Sequence, residues 1–252
     1  MQQICGQIDL SFFIKMLKRI KNILKSICLF AFQTSLLAII IYRVLPIPCT
    51  PLMIQRYIQN SNGEREKGTS KQWKPLAEMG HEIPLSALTG EDPKFFSHFG
   101  FDFQQIKHAA ENNIEGGKTQ GASTISQQTA KNLFLLPIRS YARKGLEVYF
   151  TALMELIWSK QRILEVYLNI IETGPAIFGM EAAAKHYYNK TCKVLTVAQS
   201  ARLVAVLPNP LRWHPTNLGY DYWDKCNKPN LVLNNHYKAI VYQRRFVEYS
   251  IK

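Results

Sequence analysis

The sequence is poor in the groups that make metal and disulfide proteins. Its five cysteines, Cys5, Cys28, Cys49, Cys192 and Cys226, are an odd number with no close C-x-x-C pair. That pattern suggests neither a zinc site nor a full disulfide framework, and the cysteines read as packing residues. Cys192 and Cys226 can pair if both lie outside a membrane, a point that position alone leaves open. The histidines, His81, His98, His108, His186, His214 and His236, are scattered without an i,i+4 pair beside a carboxylate, which argues against a metalloprotease-type site. Internal repeats and low-complexity tracts are absent. Acidic residues are scarce as well, 18 Asp and Glu against 31 Lys and Arg, for a formal net charge of +13. This balance favours anionic partners such as phosphates, acidic lipids or nucleic acid.

Charge is missing altogether from Ser26 to Tyr42, SICLFAFQTSLLAIIIY. With Arg43 snorkelling, Val44 and Leu45 extend the run to a length that crosses a bilayer. Lys15, Lys18, Arg19, Lys21 and Lys25 precede it against one acid, Asp9. The positive-inside rule then puts the N-terminus in the cytoplasm and everything after Pro46 outside. A cleaved signal peptide fits less well, because Leu45-Pro46-Ile47-Pro48 offers no small-x-small cleavage site. A buried core helix would leave the basic flank without a purpose. The expected organisation is a basic cytoplasmic segment (1–25), a transmembrane anchor (26–45), a stalk (46–72) and a folded domain (73–252).

Pro46, Pro48 and Pro51 suggest an extended stalk, followed by the polar stretch NSNGEREKGTS from Asn60 to Ser70. Beyond Trp73 the apolar periodicity is mostly helical, and few stretches alternate like strands. Tyr141 to Trp158 reads as one long amphipathic helix. Ser159 can cap a second helix from Lys160 to Ile171, and Thr196 a third that runs to Leu207. Gly174 and Pro175 break the chain after the second, and Pro208 and Pro210 end the third. One more helix is expected from Asn230, with Arg244 and Arg245 exposed. The fold class is therefore mainly α.

Two stretches carry chemistry. In EDPKFFSHFG, Glu91 to Gly100, Asp92 and Pro93 read as the N-cap and first position of a helix. Such a cap has no need of Glu91, which beside Phe95 and Phe96 is a carboxylate open to tuning for proton transfer. In GASTISQQTAKNLF, Gly121 to Phe134, Thr124 and Gln127 have the form of a capping box after the glycines Gly116, Gly117 and Gly121. Gln127 and Lys131 share a helical face with Gln128 beside them. Exposed Ser, Thr, Gln and Lys at a helix N-terminus suit a phosphate or a sugar, although a plain cap accounts for them too. Arg139, Arg143 and Lys144 follow, and Glu147 lies four residues beyond Arg143, placing a cation and a carboxylate on one face. An ordinary surface ion pair would read the same way.

These stretches, together with RKGLE (Arg143 to Glu147), RILEVYLN (Arg162 to Asn169) and LPNPLRWHP, stand in one order between about Leu76 and Pro215. In that order they resemble the motifs of the peptidoglycan glycosyltransferases, glycosyltransferase family 51, and most of all its monofunctional biosynthetic transglycosylases. IFGMEAAAKHYYNK, Ile177 to Lys190, is similar to the family's segment after the third motif. Gly121-Ala122 departs from the family's two glycines, and Thr173-Gly174-Pro175-Ala176 is unusual for its loop. No catalytic work is assigned to that loop.

The resemblance implies a lysozyme-like helical catalytic domain behind the anchor, on the outer face of a bacterial cytoplasmic membrane. It implies that Glu91 is the general base and that Glu147 is the second carboxylate, near the donor's pyrophosphate. Lys131 and Arg143 match the cations that hold pyrophosphate. Ser123, Thr124, Gln127 and Gln128 match the substrate-lining motif, and Asp92, Phe95 and His98 fall on the first motif. The implied substrates are lipid II and the growing glycan strand, with the membrane and other cell-wall synthesis proteins as partners and no nucleic acid. No cofactor is obligatory and no metal ligands are assigned, while a divalent cation, Mg or Mn, is compatible with the pyrophosphate. Two other readings stay open at this point. One is a lysozyme-like hydrolase or lytic transglycosylase, which also pairs carboxylates in a helical domain but has no use for cations at a leaving phosphate. The other is a membrane-tethered scaffold without activity, whose mark would be loss of Glu91 or Lys131; both are present.

Overall fold

The structure is a computed structural model that describes residues 10–61, 70–114, 123–138 and 140–216. Most of the polar stretch after Asn60, the glycines at 116, 117 and 121, Ala122, Arg139, Cys226 and the helix expected from Asn230 lie outside the described residues. The chain divides into two compact units, 1–45 and 46–252.

The first unit holds α1, Leu10–Tyr42. Phe13–Tyr42 is, among the described residues, the one helix long and apolar enough to cross a membrane. The helix begins well before the uncharged run, so the basic segment continues it. Thirty-three residues make about 50 Å of helix at 1.5 Å each, more than the ~30 Å of a hydrocarbon core.

The second unit opens with α2, Pro51–Ser61, where an extended stalk was expected. The proline that suggested extension stands at the first helical position, where its missing N–H is no loss. Thr50 Oγ1 accepts the Met53 N–H at 3.3 Å and starts the helix. The remaining elements are β1 (Ser70–Lys71), α3 (Glu82–Glu91), α4 (Phe103–Ile114), α5 (Ile125–Phe134), α6 (Tyr141–Ile157), α7 (Lys160–Ile170), β2 (Glu172–Gly174), β3 (Ile177–Phe178), α8 (Met180–Tyr188) and α9 (Val197–Ala205), with 3-10 turns at Leu76–Glu78 and Cys192–Val194. The mainly α reading holds. The one small sheet has the order β1-β3-β2, with β1 parallel and β2 antiparallel to β3.

Helix α3 is buried at every position from Ile83 to Gly90 and packs chiefly on α9, while α5 packs on α6 and α7. A helix apolar on all sides belongs inside a core, which is why α3 lacks the stripe that betrays α6 and α7. Three caps read from sequence are present. Thr124 and Gln127 form a capping box on α5, Thr196 and Gln199 form another on α9, and Ser159 accepts the Arg162 N–H at the start of α7.

Asp92 and Pro93 do not start a helix. They end one: Asp92 is the C-cap of α3, its N–H bonded to Leu88 O at 3.1 Å, and residues 93–97 form turns. Proline drives the residue before it out of the helical region, so the same dipeptide that can open a helix here closes one. Of the cysteines read as packing residues, Cys192 is buried, whereas Cys28 and Cys49 are exposed. Burial, with a hydrogen bond to Glu181, pushes the Cys192 thiol up to about 12.

Candidate active site

Glu91 is the last residue of α3, and its position follows from where Pro93 stops that helix. Asp92, almost fully buried, does a different job from capping its own chain segment. Its Oδ2 accepts the N–H of Ile125, the first residue of α5, at 3.0 Å, and both of its oxygens lie 3.0 Å from His98 Nε2. A carboxylate at a helix N-terminus is favoured by the free N–H groups and the dipole. Asp92 thereby fastens the end of α3 to the start of α5 and sets Glu91 beside the second motif. Gly100 completes this joint. Its φ is 81°, a Cβ there would stand 2.9 Å from Thr151 Cγ2, and its carbonyl accepts Thr124 Oγ1 at 2.7 Å.

Across that joint Gln128 Nε2 donates to Glu91 Oε2 at 2.9 Å, and Gln128 Oε1 accepts the Tyr167 hydroxyl at 3.4 Å. The amide is thus oriented with its donor end toward the carboxylate. One turn on, the Lys131 ammonium forms no hydrogen bond or ion pair with another described residue. Burial lowers its pKa below the ordinary 10.5, Glu147 and Glu91 oppose that shift, and Arg143 and Lys144 reinforce it. The ammonium therefore stands in the fields of both carboxylates and two cations. On α6, the buried Glu147 takes Arg143 Nη1 at 3.3 Å and also pairs with Lys144. Arg143 Nε is buried with no hydrogen-bond partner among the described residues, a donor that a bound anion would satisfy.

Gln128, Lys131 and Arg143 line a single cavity of 470 Å³. Arg56 of α2 and Glu172 of β2 close it with polar groups, and Leu52, Leu135, Ile138 and Leu207 are among its apolar lining. The structure thus gathers Glu91, Gln128, Lys131, Arg143 and Glu147. The other residues singled out from sequence are arranged behind them. Thr124 and Gln127 are buried and occupied with the capping box. Phe95 is fully buried, with Phe96 and His98 packed edge-on against it. Ser123 is exposed just before α5.

Three features escaped the sequence. Arg56 and Glu172 are 116 residues apart and no local spacing announces them. Tyr167 sits in RILEVYLN, where a hydroxyl on an otherwise apolar face was the available signal. Behind the first motif, the buried Glu155 accepts from Lys160 Nζ at 2.7 Å and from Ser126, and the Lys160 ammonium lies 4.5 Å from the Phe95 ring centroid.

The site thus brings two carboxylates, Glu91 and Glu147, and a group of cations together in a mainly helical domain, and similarity to known proteins gives the class of enzyme. Residues 57–236 match the family model described as Transglycosylase. A biosynthetic peptidoglycan transglycosylase of Caulobacter vibrioides is 47% identical over 194 residues, which cover 77% of this chain and 82% of the relative. One of Bdellovibrio bacteriovorus is 47% identical over 193 residues, 77% of each chain. One of Stutzerimonas stutzeri is 41% identical over 230 residues, 91% of this chain and 90% of the relative. The chain belongs to the transglycosylase family, whose domain has the lysozyme-like fold expected from the motifs.

Proposed function

We propose that the protein is a membrane-anchored peptidoglycan glycosyltransferase that polymerises lipid II into β-1,4-linked glycan strands and releases polyprenyl pyrophosphate. Family membership and the names of the relatives support the reaction class. The observation that carries the finer reading is the grouping of Lys131 and Arg143 in one cavity, with unsatisfied donors, a helix turn from the Gln128–Glu91 contact. A hydrolase acting on finished polymer has no anionic leaving group for them to meet.

In the proposed reaction Glu91 takes the proton from the acceptor's 4-hydroxyl as that oxygen attacks the donor's anomeric carbon. The new C–O bond forms as the bond to pyrophosphate breaks on the opposite face, so configuration inverts. The electron pair leaves with the pyrophosphate, where Lys131 and Arg143 meet the growing charge. Glu147 holds Arg143 in place through its ion pair. Gln128 steadies Glu91 through its hydrogen bond to Oε2. Among the described residues no group of three His, Cys, Asp or Glu side chains is placed to hold a metal. A divalent cation that takes part would supply further positive charge to the leaving pyrophosphate.

The proposed topology puts the basic start of α1 in the cytoplasm and the second unit on the outer face of the bacterial cytoplasmic membrane. A substrate with a polyprenyl chain has to be met at that surface. Glu91→Gln tests the function directly, because an amide keeps the shape and cannot accept the proton. Polymerisation of lipid II should fall by roughly 10²-fold or more, with the thermal midpoint unchanged. Retention of more than about a tenth of the wild-type rate would remove Glu91 from the role of base.

A further inference from the structure

Glu172 is a misfit in the cavity. It is the one carboxylate among the described lining residues, while Lys131 and Arg143 are cations and the proposed ligand is an anion. Its side chain is 7% exposed, so water screens it little. An unpaired carboxylate at that place would repel a phosphate and draw Lys131 and Arg143 toward itself.

The carboxylate is fully engaged by Arg56. Nε of Arg56 donates to Oε1 at 2.8 Å and Nη2 donates to Oε2 at 3.1 Å, a planar two-point pair that uses both oxygens. Nη1 of the same guanidinium donates to Gln59 Oε1 at 3.0 Å, within α2, which fixes the fork from behind. We propose that Arg56 is a positioning residue that masks Glu172, so that the cavity presents a cationic wall to an anionic leaving group. This inference rests on the reading of the cavity as a phosphate site. It gives α2 a purpose in the reaction: the first element after the membrane-spanning helix supplies the counter-charge that makes the cavity selective.

A plain structural tie between α2 and β2 makes the opposite prediction for one combination of variants. If masking matters, the harm in removing Arg56 comes from the bare Glu172 charge and disappears when that charge is removed too. If the pair is only a tie, losing either partner is harmful and losing both is no better.

The test uses the full chain in detergent, inorganic pyrophosphate as the probe and calorimetry at low salt, with kcat and KM for lipid II measured in parallel. Arg56→Met should weaken pyrophosphate binding on the order of tenfold or more, since a unit charge several ångströms away acts through a poorly screened medium. Glu172→Gln should bind at least as tightly as wild type. The double variant should return to within about threefold of wild type, and the same order should appear in KM more than in kcat. A double variant as weak as Arg56→Met, or an Arg56→Met variant that binds like wild type, would overturn the mask while leaving the phosphate site standing. If Arg56→Met does not fold, Glu172→Gln decides alone: undiminished binding supports the mask and weakened binding refutes it. Failure of the wild-type protein to bind pyrophosphate would overturn the phosphate reading itself, and the mask with it.

Discussion

Removing the Lys131 ammonium should cost the enzyme most of its rate, and the structure says how much and why. The group is half-buried, forms no ion pair with another described residue, and lines the cavity beside Arg143 and Gln128. A unit charge about 4 Å from a phosphate oxygen is worth about 4 kcal/mol at an effective dielectric constant near 20. Part of that is already felt by the bound substrate, and the rest appears only as the leaving group gains charge. Lys131→Ala should therefore lower kcat and kcat/KM together by roughly 10²- to 10³-fold, the range seen when one preorganised donor is removed from a transition state. The acid–base chemistry of the group adds a second signature. Burial holds its pKa below 10.5, so Lys131 loses its proton at a lower pH than a free lysine does. Activity that needs the charged form is present below that folded pKa and is lost as pH rises through it. Lys131→Arg, which keeps a cation that does not titrate, should move the alkaline limb of kcat/KM to higher pH even if the plateau falls. The assay is strand formation from labelled lipid II in detergent across the alkaline range. An alkaline limb identical in wild type and Lys131→Arg, or a Lys131→Ala variant with more than about a tenth of wild-type kcat/KM, would refute the reasoning.

Arg143→Lys keeps the charge but deletes the buried Nε donor and the Nη1 contact with Glu147, so kcat/KM should drop about tenfold or more in the same assay. Gly100→Ala should destabilise the fold by about 2 kcal/mol or more, read from denaturant midpoints, because φ is 81° and the new Cβ would press on Thr151 and Glu155. Gly145→Ala, in the interior of α6 with open space around the added methyl, should instead stabilise by up to about 1 kcal/mol. Glu181 is pushed up by burial, but hydrogen bonds from Cys192 and Thr191 and the field of Lys74 outweigh this and leave its pKa below 4.5. Its contribution to stability is full above the unfolded value of about 4.3 and is lost as pH falls through the folded value. Glu181→Gln should accordingly lower the thermal midpoint at neutral pH and narrow the gap to wild type at about pH 3. An equal gap at both pH values would show that the charge on Glu181 is not what matters.

What the sequence revealed was local. The capping box at Thr124, the caps at Ser159 and Thr196 and the Arg143–Glu147 pair depend on residues three or four apart, and all are present. Two local signals had two physical solutions. Asp92-Pro93 can open a helix or close one, and the choice was made by α3, whose unbroken burial left no stripe to read. Pro51 can extend a stalk or begin a helix, and Thr50 decided for the helix. The joints that build the site, Asp92 to Ile125, Glu91 to Gln128 and Arg56 to Glu172, span 33, 37 and 116 residues. No periodicity encodes such pairs: the first two form where the end of α3 meets the start of α5, and the third ties α2 to β2.

The most direct test of the central claim is the product formed by the wild-type chain from lipid II, separated by size before and after muramidase digestion, beside a parallel incubation with finished peptidoglycan. A transferase yields long strands from lipid II that muramidase reduces to disaccharide units, and it leaves the finished polymer intact. Cleavage of the finished polymer, with lipid II untouched, would contradict the account.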